Sequence, residues 1–266
     1  MTNKDDSEFG ISRRSALMKI GGTAGSAALV GLTSTPAAAM EQWVHRKWAR
    51  QAAEQVKSQR GNGHILVDEI AENADEPDEN PYRCPDSYPW YVCAWLDDVK
   101  QPYTHYNNPE ETWGKAPQKA KEKAKEARNE ATDWNTNWSY VAEMTARSLH
   151  YIQDAATLVH TGKEYEQYKN NDIHFKYEGW VQNDWDSYFS DAVADARGSY
   201  DGIENADEVK DYTLLNNQRG YNKLHDNWDD ISDPGSYNYS TRTATYDTIK
   251  IATQTVHGTI DWIYNG

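Results

Sequence analysis

The sequence predicts an all-α protein. Alternation of apolar and polar residues, which would indicate half-buried strands, is nearly absent from the 266-residue chain. Apolar side chains instead recur with a helical period over residues 138–152, where Thr145 is the one polar member. The stretch 117–132 is rich in Ala, Lys and Glu, and pairs such as Glu122 and Lys125 are typical of a solvent-facing helix. We therefore expect a bundle of helices that bury their aromatic and aliphatic faces.

The predicted helices can be placed in order along the chain. The first runs from Trp43 to Arg60 and is broken by Gly61-Asn62-Gly63, and a second covers His64–Ala74. A proline-rich loop follows at Glu76–Pro89, and a short apolar helix is expected at Trp90–Asp97. The remaining helices are expected at Pro117–Thr132, Asn135–Ala156, Asp172–Arg197 and Thr241–Tyr264.

Residues 1–39 have the features of an export signal. Ser12-Arg13-Arg14-Ser15-Ala16-Leu17 is a twin-arginine pattern, a Gly- and Ala-rich run follows it, and Ala37-Ala38-Ala39 fits a cleavage site. The alternative, a buried helix with two chance arginines, does not explain the order of these features. We expect a mature chain that begins near Met40, uses the twin-arginine export machinery and is secreted. Residues 40–266 show no internal repeat and no apolar run of the roughly 20 residues that a membrane span needs, so we expect one domain without a transmembrane segment.

The chain is strongly acidic. It carries 42 Asp and Glu against 27 Lys and Arg, a net charge of −15, which argues against a stable nucleic-acid complex and against docking on an anionic membrane. Its 11 Trp and 18 Tyr argue against disorder. Such acidity fits secreted proteins of salt-loving organisms, and an ordinary acidic protein would show it too.

The only two cysteines are Cys84 and Cys93. Outside the cytoplasm a disulfide between them is permitted. Whether they bridge depends on a geometry that the sequence does not show. The sequence likewise does not indicate an oligomeric state.

Five possible metal ligands lie between residues 150 and 178, and four of them form two pairs at helical spacing. His150 and Asp154 are four residues apart on the most clearly periodic helix, His160 follows, and His174 and Glu178 form a second pair four apart. Imidazole and carboxylate are the ligands that zinc takes when thiolates are absent. Either pair alone would be better explained as a surface ion pair. The chance of all five positions together is roughly 10⁻⁴ at this composition, so the whole set predicts a metal site.

These residues also carry a family resemblance. Ser148-Leu149-His150-Tyr151-Ile152-Gln153-Asp154, then His160, then His174-Phe175-Lys176-Tyr177-Glu178 resemble the bacterial zinc-dependent phospholipase C family of the alpha-toxin type. The resemblance is firmest over residues 115–180. It implies a compact multi-helix domain over residues 40–266.

The resemblance extends more loosely upstream. Gly63-His64-Ile65-Leu66-Val67 resembles the family's first-helix histidine, and Thr104-His105-Tyr106-Asn107-Asn108-Pro109 resembles a His-containing segment that has Asp where this chain has Asn108. Trp95-Leu96-Asp97 resembles a Trp-x-Asp ligand of the related zinc-dependent single-strand nucleases. Asp97 is therefore preferred as the upstream carboxylate, and the alternatives are Asp98, Asp78 and Asp75.

Carried over to this sequence, the resemblance implies two zinc ions, or three if the mature chain begins at a Trp such as Trp43 or Trp48. The implied ligands are His105, His150, Asp154 and Asp97 for one ion, His160, His174 and Glu178 for another, and His64 with Asp154 and the terminal Trp for the third. The other histidines, expected to be solvated or packed, are His45, His225 and His257.

The resemblance implies phosphodiester hydrolysis by a zinc-activated water, with Asp97 as the candidate proton acceptor. A phospholipid head group is the favoured substrate. The alternatives are a zinc-dependent single-strand nuclease or phosphatase-like hydrolase, and a secreted protein that keeps zinc for stability alone.

Overall fold

Helices account for nearly all of the residues that can be described. The structure, a computed structural model, describes residues 37–75, 77, 105, 107–109, 113–161, 171–232 and 237–266. Within these ranges the predicted all-α class is confirmed. The helices are α1 (Ala37–Arg60), α2 (Val67–Asn73), α3 (Ala116–Ala131), α4 (Trp138–Ala156), α5 (Asn171–Asn183), α6 (Ser190–Asp195), α7 (Ala206–Asp226), α8 (Trp228–Ser232) and α9 (Tyr239–Asn265).

Three short elements complete the description. A two-residue strand, β1 (Asn107–Asn108), pairs antiparallel with β2 (Trp113–Gly114). A 3₁₀ turn at Leu158–His160 follows α4, and a π-helical turn at Trp185–Phe189 lies between α5 and α6. The small β pair leaves the helical class unchanged.

Asparagine side chains mark where three long helices begin. Asn137 accepts a hydrogen bond from the backbone N–H of Tyr140 at the start of α4. Asn205 does the same at α7, and Asn238 at α9. These caps satisfy backbone donors that a helix start leaves open, each worth about 1 kcal/mol.

The structure corrects two of the predicted helices. Asp172–Arg197 is not one continuous helix, because the π-helical turn interrupts it and turns Trp185 and Phe189 into the core. The second helix begins at Val67 instead of His64, so His64 lies in the turn after α1. The Trp90–Asp97 helix, Cys84 and Cys93 lie outside the described residues.

Helix α4 runs through the middle of the bundle. From Met144 to Ala156 every residue except Arg147 is buried, because α2, α3, α7 and α9 all pack around it. A helix surrounded on all sides holds any polar side chain in the interior. His150 and Asp154 are therefore buried by the position of their helix.

The described helices belong to one compact unit, Pro36–Gly266. None of these helices is both long enough and apolar enough to cross a membrane. The division at residue 39 into an export signal and a mature domain stays a prediction.

Candidate metal centre

The Asp154 carboxylate is surrounded by four imidazole rings. Its Oδ2 lies 2.7 Å from His105 Nδ1 and 2.9 Å from His150 Nε2. Its Oδ1 lies 3.1 Å from His160 Nδ1 and 3.5 Å from His45 Nε2. All five residues are at most 7% exposed. One buried carboxylate thus faces four nitrogen donors, the donor set that a metal-bridging carboxylate would have.

A second group of ligand atoms continues from His160. Its Nε2 lies 2.8 Å from Glu178 Oε1, and His174 Nε2 lies 3.0 Å from Glu178 Oε2. The rings of His160 and His174 are stacked, with centroids 5.0 Å apart and planes 2° from parallel. His160 therefore links the two groups, because one of its nitrogens faces Asp154 and the other faces Glu178.

Helical spacing explains how the chain assembles both groups. His150 and Asp154 are one turn apart on α4, and His174 and Glu178 are one turn apart on α5. After α4 ends, the 3₁₀ turn is closed by a 2.8 Å hydrogen bond from the His160 N–H to the carbonyl of Thr157. This turn brings His160 back over Asp154.

Two hydrogen bonds orient imidazoles toward Asp154. Nδ1 of His150 donates to the carbonyl of Ala74 at 2.8 Å. Nδ1 of His45 donates to Oε1 of Gln153 at 2.6 Å. An acceptor on Nδ1 fixes the proton there and leaves Nε2 as the metal-facing nitrogen. Both rings are thus held in the tautomer that a metal requires.

Electrostatics keep the carboxylates ionised in spite of their burial. Burial alone would raise the pKa of Asp154, but the charges and hydrogen bonds of His150 and His105 outweigh it and hold that pKa well below its usual value. Burial likewise opposes ionisation of Glu178, yet His174 and His160 lower its pKa to about 2. Burial lowers the pKa of His160, but Asp154 and Glu178 together raise it well above 6.5.

Zinc binding to the metal-free protein is expected to release protons at pH 7. Both nitrogens of His160 face carboxylate oxygens, which raise its pKa and favour the imidazolium form in the metal-free protein. An imidazole binds zinc only as the neutral ring. Asp154 and Glu178, whose pKa values are lowered, carry no proton to release. Zinc affinity should therefore rise with pH above 6.5, until the raised pKa of His160 is passed.

Calorimetric titration of zinc in two buffers of different ionisation enthalpy checks this release. The two binding heats should differ by the number of protons released multiplied by the difference between the ionisation enthalpies of the buffers. Equal heats in both buffers would contradict the imidazolium form of His160.

The structure brings six of the eight predicted ligands together. His150, Asp154, His160, His174 and Glu178, together with His105, form the two groups. His45, which was expected to be a solvated or packed imidazole, joins them.

His64 is placed elsewhere. It is exposed, its ring stacks on Trp138 at 4.2 Å, and its N–H donates to Asn62 Oδ1. His45 lies beside Asp154, where His64 was expected, because it is on the buried stripe of α1. Burial at i+3 and i+4 spacing was the signal that could have found it; the stripe consists of His45, Trp48, Ala49, Ala52, Ala53 and Val56.

The upstream carboxylate is the remaining predicted ligand. Asp97, Asp98 and Asp78 lie outside the described residues. Asp75 is 1% exposed and directly follows Ala74, the acceptor of the His150 hydrogen bond. Its Oδ2 accepts from Arg46 Nε at 2.6 Å, whereas its Oδ1 has no hydrogen-bond partner among the described residues. Of the four candidate carboxylates, Asp75 is the one that the structure describes, and it lies next in sequence to the carbonyl that His150 contacts.

The remaining two histidines lie apart from these groups. His225 is exposed on α7. His257 is buried and donates from Nδ1 to the carbonyl of Ser199 at 3.1 Å, and burial lowers its pKa. They are the solvated and packed imidazoles that the sequence predicts.

The donor set fits zinc. In each group of three residues the ligand atoms lie within 4.8 Å of one another, and the ligands are nitrogen and carboxylate oxygen without thiolate. The groups are His45, His150 and Asp154, and His160, His174 and Glu178. His160, His174 and Glu178 supply three protein ligands, which leaves a coordination position open, as is typical of catalytic zinc sites.

Comparison with known proteins identifies the fold. No protein-family model and no curated protein matches the sequence. The alpha toxin from Clostridium absonum superposes on 85% of this chain with a TM-score of 0.60 and 15% sequence identity. An alpha-toxin of Clostridium perfringens from an avian strain superposes on 87% with a TM-score of 0.50 and 14% identity. The matched part spans 65% of each toxin chain. The resemblance to the alpha-toxin type is thus confirmed for the fold.

Proposed function

We propose that this protein is a zinc-dependent phosphodiesterase that hydrolyses phospholipids in the manner of a phospholipase C. The observation that carries the proposal is the Asp154 carboxylate between His105 and His150 on one oxygen and His160 and His45 on the other. The alpha-toxin fold supports it. The twin-arginine pattern supports the proposal that the protein is secreted and acts outside the cell.

The proposed ligand sets of the second and third ions share Asp154. One ion would be held by His160, His174 and Glu178. A second would be held by His105, His150, Asp154 and Asp97, with Asp75 as the alternative carboxylate. A third would involve His45, in place of His64, together with Asp154 and the amino terminus of a mature chain that begins at Trp. We therefore propose two ions, and N-terminal sequencing of the mature protein decides on the third.

The reaction needs a nucleophile at neutral pH and positive charge near the phosphoryl group. Zinc, when bound, supplies a Lewis acid and lowers the pKa of its water to about 7. Asp154 shares its two oxygens between the ligand groups and fixes their spacing. Asp97 is the proposed acceptor of the water's proton, and Asp75, whose Oδ1 has no hydrogen-bond partner among the described residues, is the alternative. The chain has a net charge of −15, so zinc, when bound, would supply the positive charge near the phosphoryl group.

One feature favours a phospholipid over a nucleic acid. The sequence spacing from His160 to His174 and the closing Glu178 resemble the phospholipases, whereas the nucleases tend to close the set with Asp.

A substrate panel tests the proposal. The zinc-loaded mature protein is incubated with phosphatidylcholine vesicles, an ether-linked glycerophospholipid and single-stranded DNA. Release of a phosphorylated head group from either lipid is the expected result, because attack on phosphorus is indifferent to ester or ether chains. Cleavage of the DNA alone would make the protein a nuclease, and no cleavage by a zinc-loaded protein would leave zinc a stabilising role.

A further inference from the structure

His105 belongs to the part of the chain between α2 and α3. It precedes β1, a two-residue strand whose pairing with β2 is too short to be stable alone. Even so, its Nδ1 lies 2.7 Å from Asp154 and 2.9 Å from Nε2 of His150. Such a ligand needs an anchor that ties its segment to the helices.

Asn217 on α7 makes that connection through both ends of its amide. Its Oδ1 accepts a 2.7 Å hydrogen bond from Nδ2 of Asn107, two residues after His105. Its Nδ2 donates a 3.1 Å hydrogen bond to the carbonyl of Ala155, next to Asp154. Asn217 is fully buried and Asn107 is 7% exposed. One side chain thus joins the segment of His105 to the helix of Asp154.

The packing of α7 places the amide rigidly. Gly220, three residues after Asn217, faces the same corner, where a Cβ would lie 2.8 Å from Thr161 Cγ2 and 3.5 Å from the carbonyl of Ala156. The absence of a side chain at Gly220 lets α7 approach the end of α4 and the 3₁₀ turn. Asn217 is therefore held against the part of the backbone that carries Asp154.

We propose that Asn217 is a positioning residue for the metal centre, one that sets the distance between His105 and Asp154. The inference rests on the proposed function, because it takes those two side chains as zinc ligands. Buried amides have to be hydrogen-bonded in any protein, so stability alone does not identify the role. What distinguishes positioning is a change in metal affinity confined to one of the two ligand groups.

The adjacent asparagine provides a matched control. Asn216 lies on the same helix, is 3% exposed and donates from Nδ2 to Thr255 Oγ1 at 2.7 Å, toward α9. Asn216→Ala and Asn217→Ala remove the same atoms from neighbouring buried positions. Each should lower the stability of the fold to a similar extent, because each leaves buried hydrogen-bond partners unpaired. Only Asn217→Ala removes a link to a ligand segment.

The experiment uses the full mature chain. It measures zinc affinity by competition with a chelator, and it records the absorption spectrum of the cobalt-substituted protein. Asn217→Ala should weaken one zinc by about 10–100-fold, the usual effect of losing an outer hydrogen bond, and should alter the cobalt absorption of that site. The zinc held by His160, His174 and Glu178 should keep its affinity. Asn216→Ala should keep both affinities.

Asn107→Ala breaks the same link from the other end and serves if Asn217→Ala does not fold. Because Asn107 acts through its hydrogen bond to Asn217, the double variant should weaken zinc no more than Asn217→Ala alone. Unchanged affinity in both single variants, or an equal loss in Asn216→Ala, would overturn the inference. Wild-type protein that binds no zinc would instead refute the proposed function.

Discussion

His150→Ala is expected to abolish both the binding of one zinc and phosphodiester hydrolysis. The ring is fully buried, its Nε2 lies 2.9 Å from Asp154 and 2.9 Å from His105, and nothing else occupies its place. We expect turnover to fall by about three orders of magnitude, which corresponds to about 4 kcal/mol of transition-state stabilisation. Zinc content by mass spectrometry and initial rates on phosphatidylcholine measure the two losses.

His225→Ala is the control for that variant. His225 is an exposed histidine on α7, so its removal should change neither the zinc content nor the rate. Circular dichroism has to show that both variants are folded, since His150→Ala also leaves the carbonyl of Ala74 without its donor. Equal activity of the two variants would contradict the role of His150.

His45→Ala is expected to weaken metal binding strongly, whereas His64→Ala should not. Both histidines lie before the end of α2 in the sequence, but only His45 has its Nε2 3.5 Å from Asp154 and its Nδ1 fixed by Gln153. Loss of a direct ligand should cost at least the ~100-fold in affinity seen when outer partners are lost. The exposed His64 only stacks on Trp138.

Zinc titration of both variants, each from metal-free protein, measures the difference. If His64→Ala lost a zinc and His45→Ala kept all of them, the family resemblance of Gly63–Val67 would be the better guide to the third site. Wild-type affinity in both variants would show that neither histidine is a ligand.

The parts of the site that depend on local spacing could be read from the sequence. His150 with Asp154 and His174 with Glu178 are single-turn pairs, so each pair needs only its own helix to face one way. The periodicity of α4 predicted a helix with one buried face; the burial of His150 and Asp154 follows from the helices that pack around it. His160 belonged to the five-residue set that predicted a metal site, and the 3₁₀ turn is what brings it over Asp154.

The parts that depend on tertiary contacts could not be read in this way. Helix α7 was not predicted, because the side that it buries includes Thr213, Asn216, Asn217 and Gly220 rather than an apolar stripe. His64 was preferred to His45 because residues 63–67 resemble the family's first-helix histidine segment. His45, however, lies on the buried side of α1. The contact between His150 and the carbonyl of Ala74, next to Asp75, likewise cannot be read from sequence spacing.

Imidazoles and carboxylates of α1, α4, α5 and the His105 segment are expected to enclose zinc. Crystals of the zinc-loaded protein, measured above and below the zinc absorption edge, test it most directly. We expect anomalous peaks at two positions at least, one among His160, His174 and Glu178 and one beside Asp154. Crystals grown in excess zinc without a peak at either position would contradict the claim.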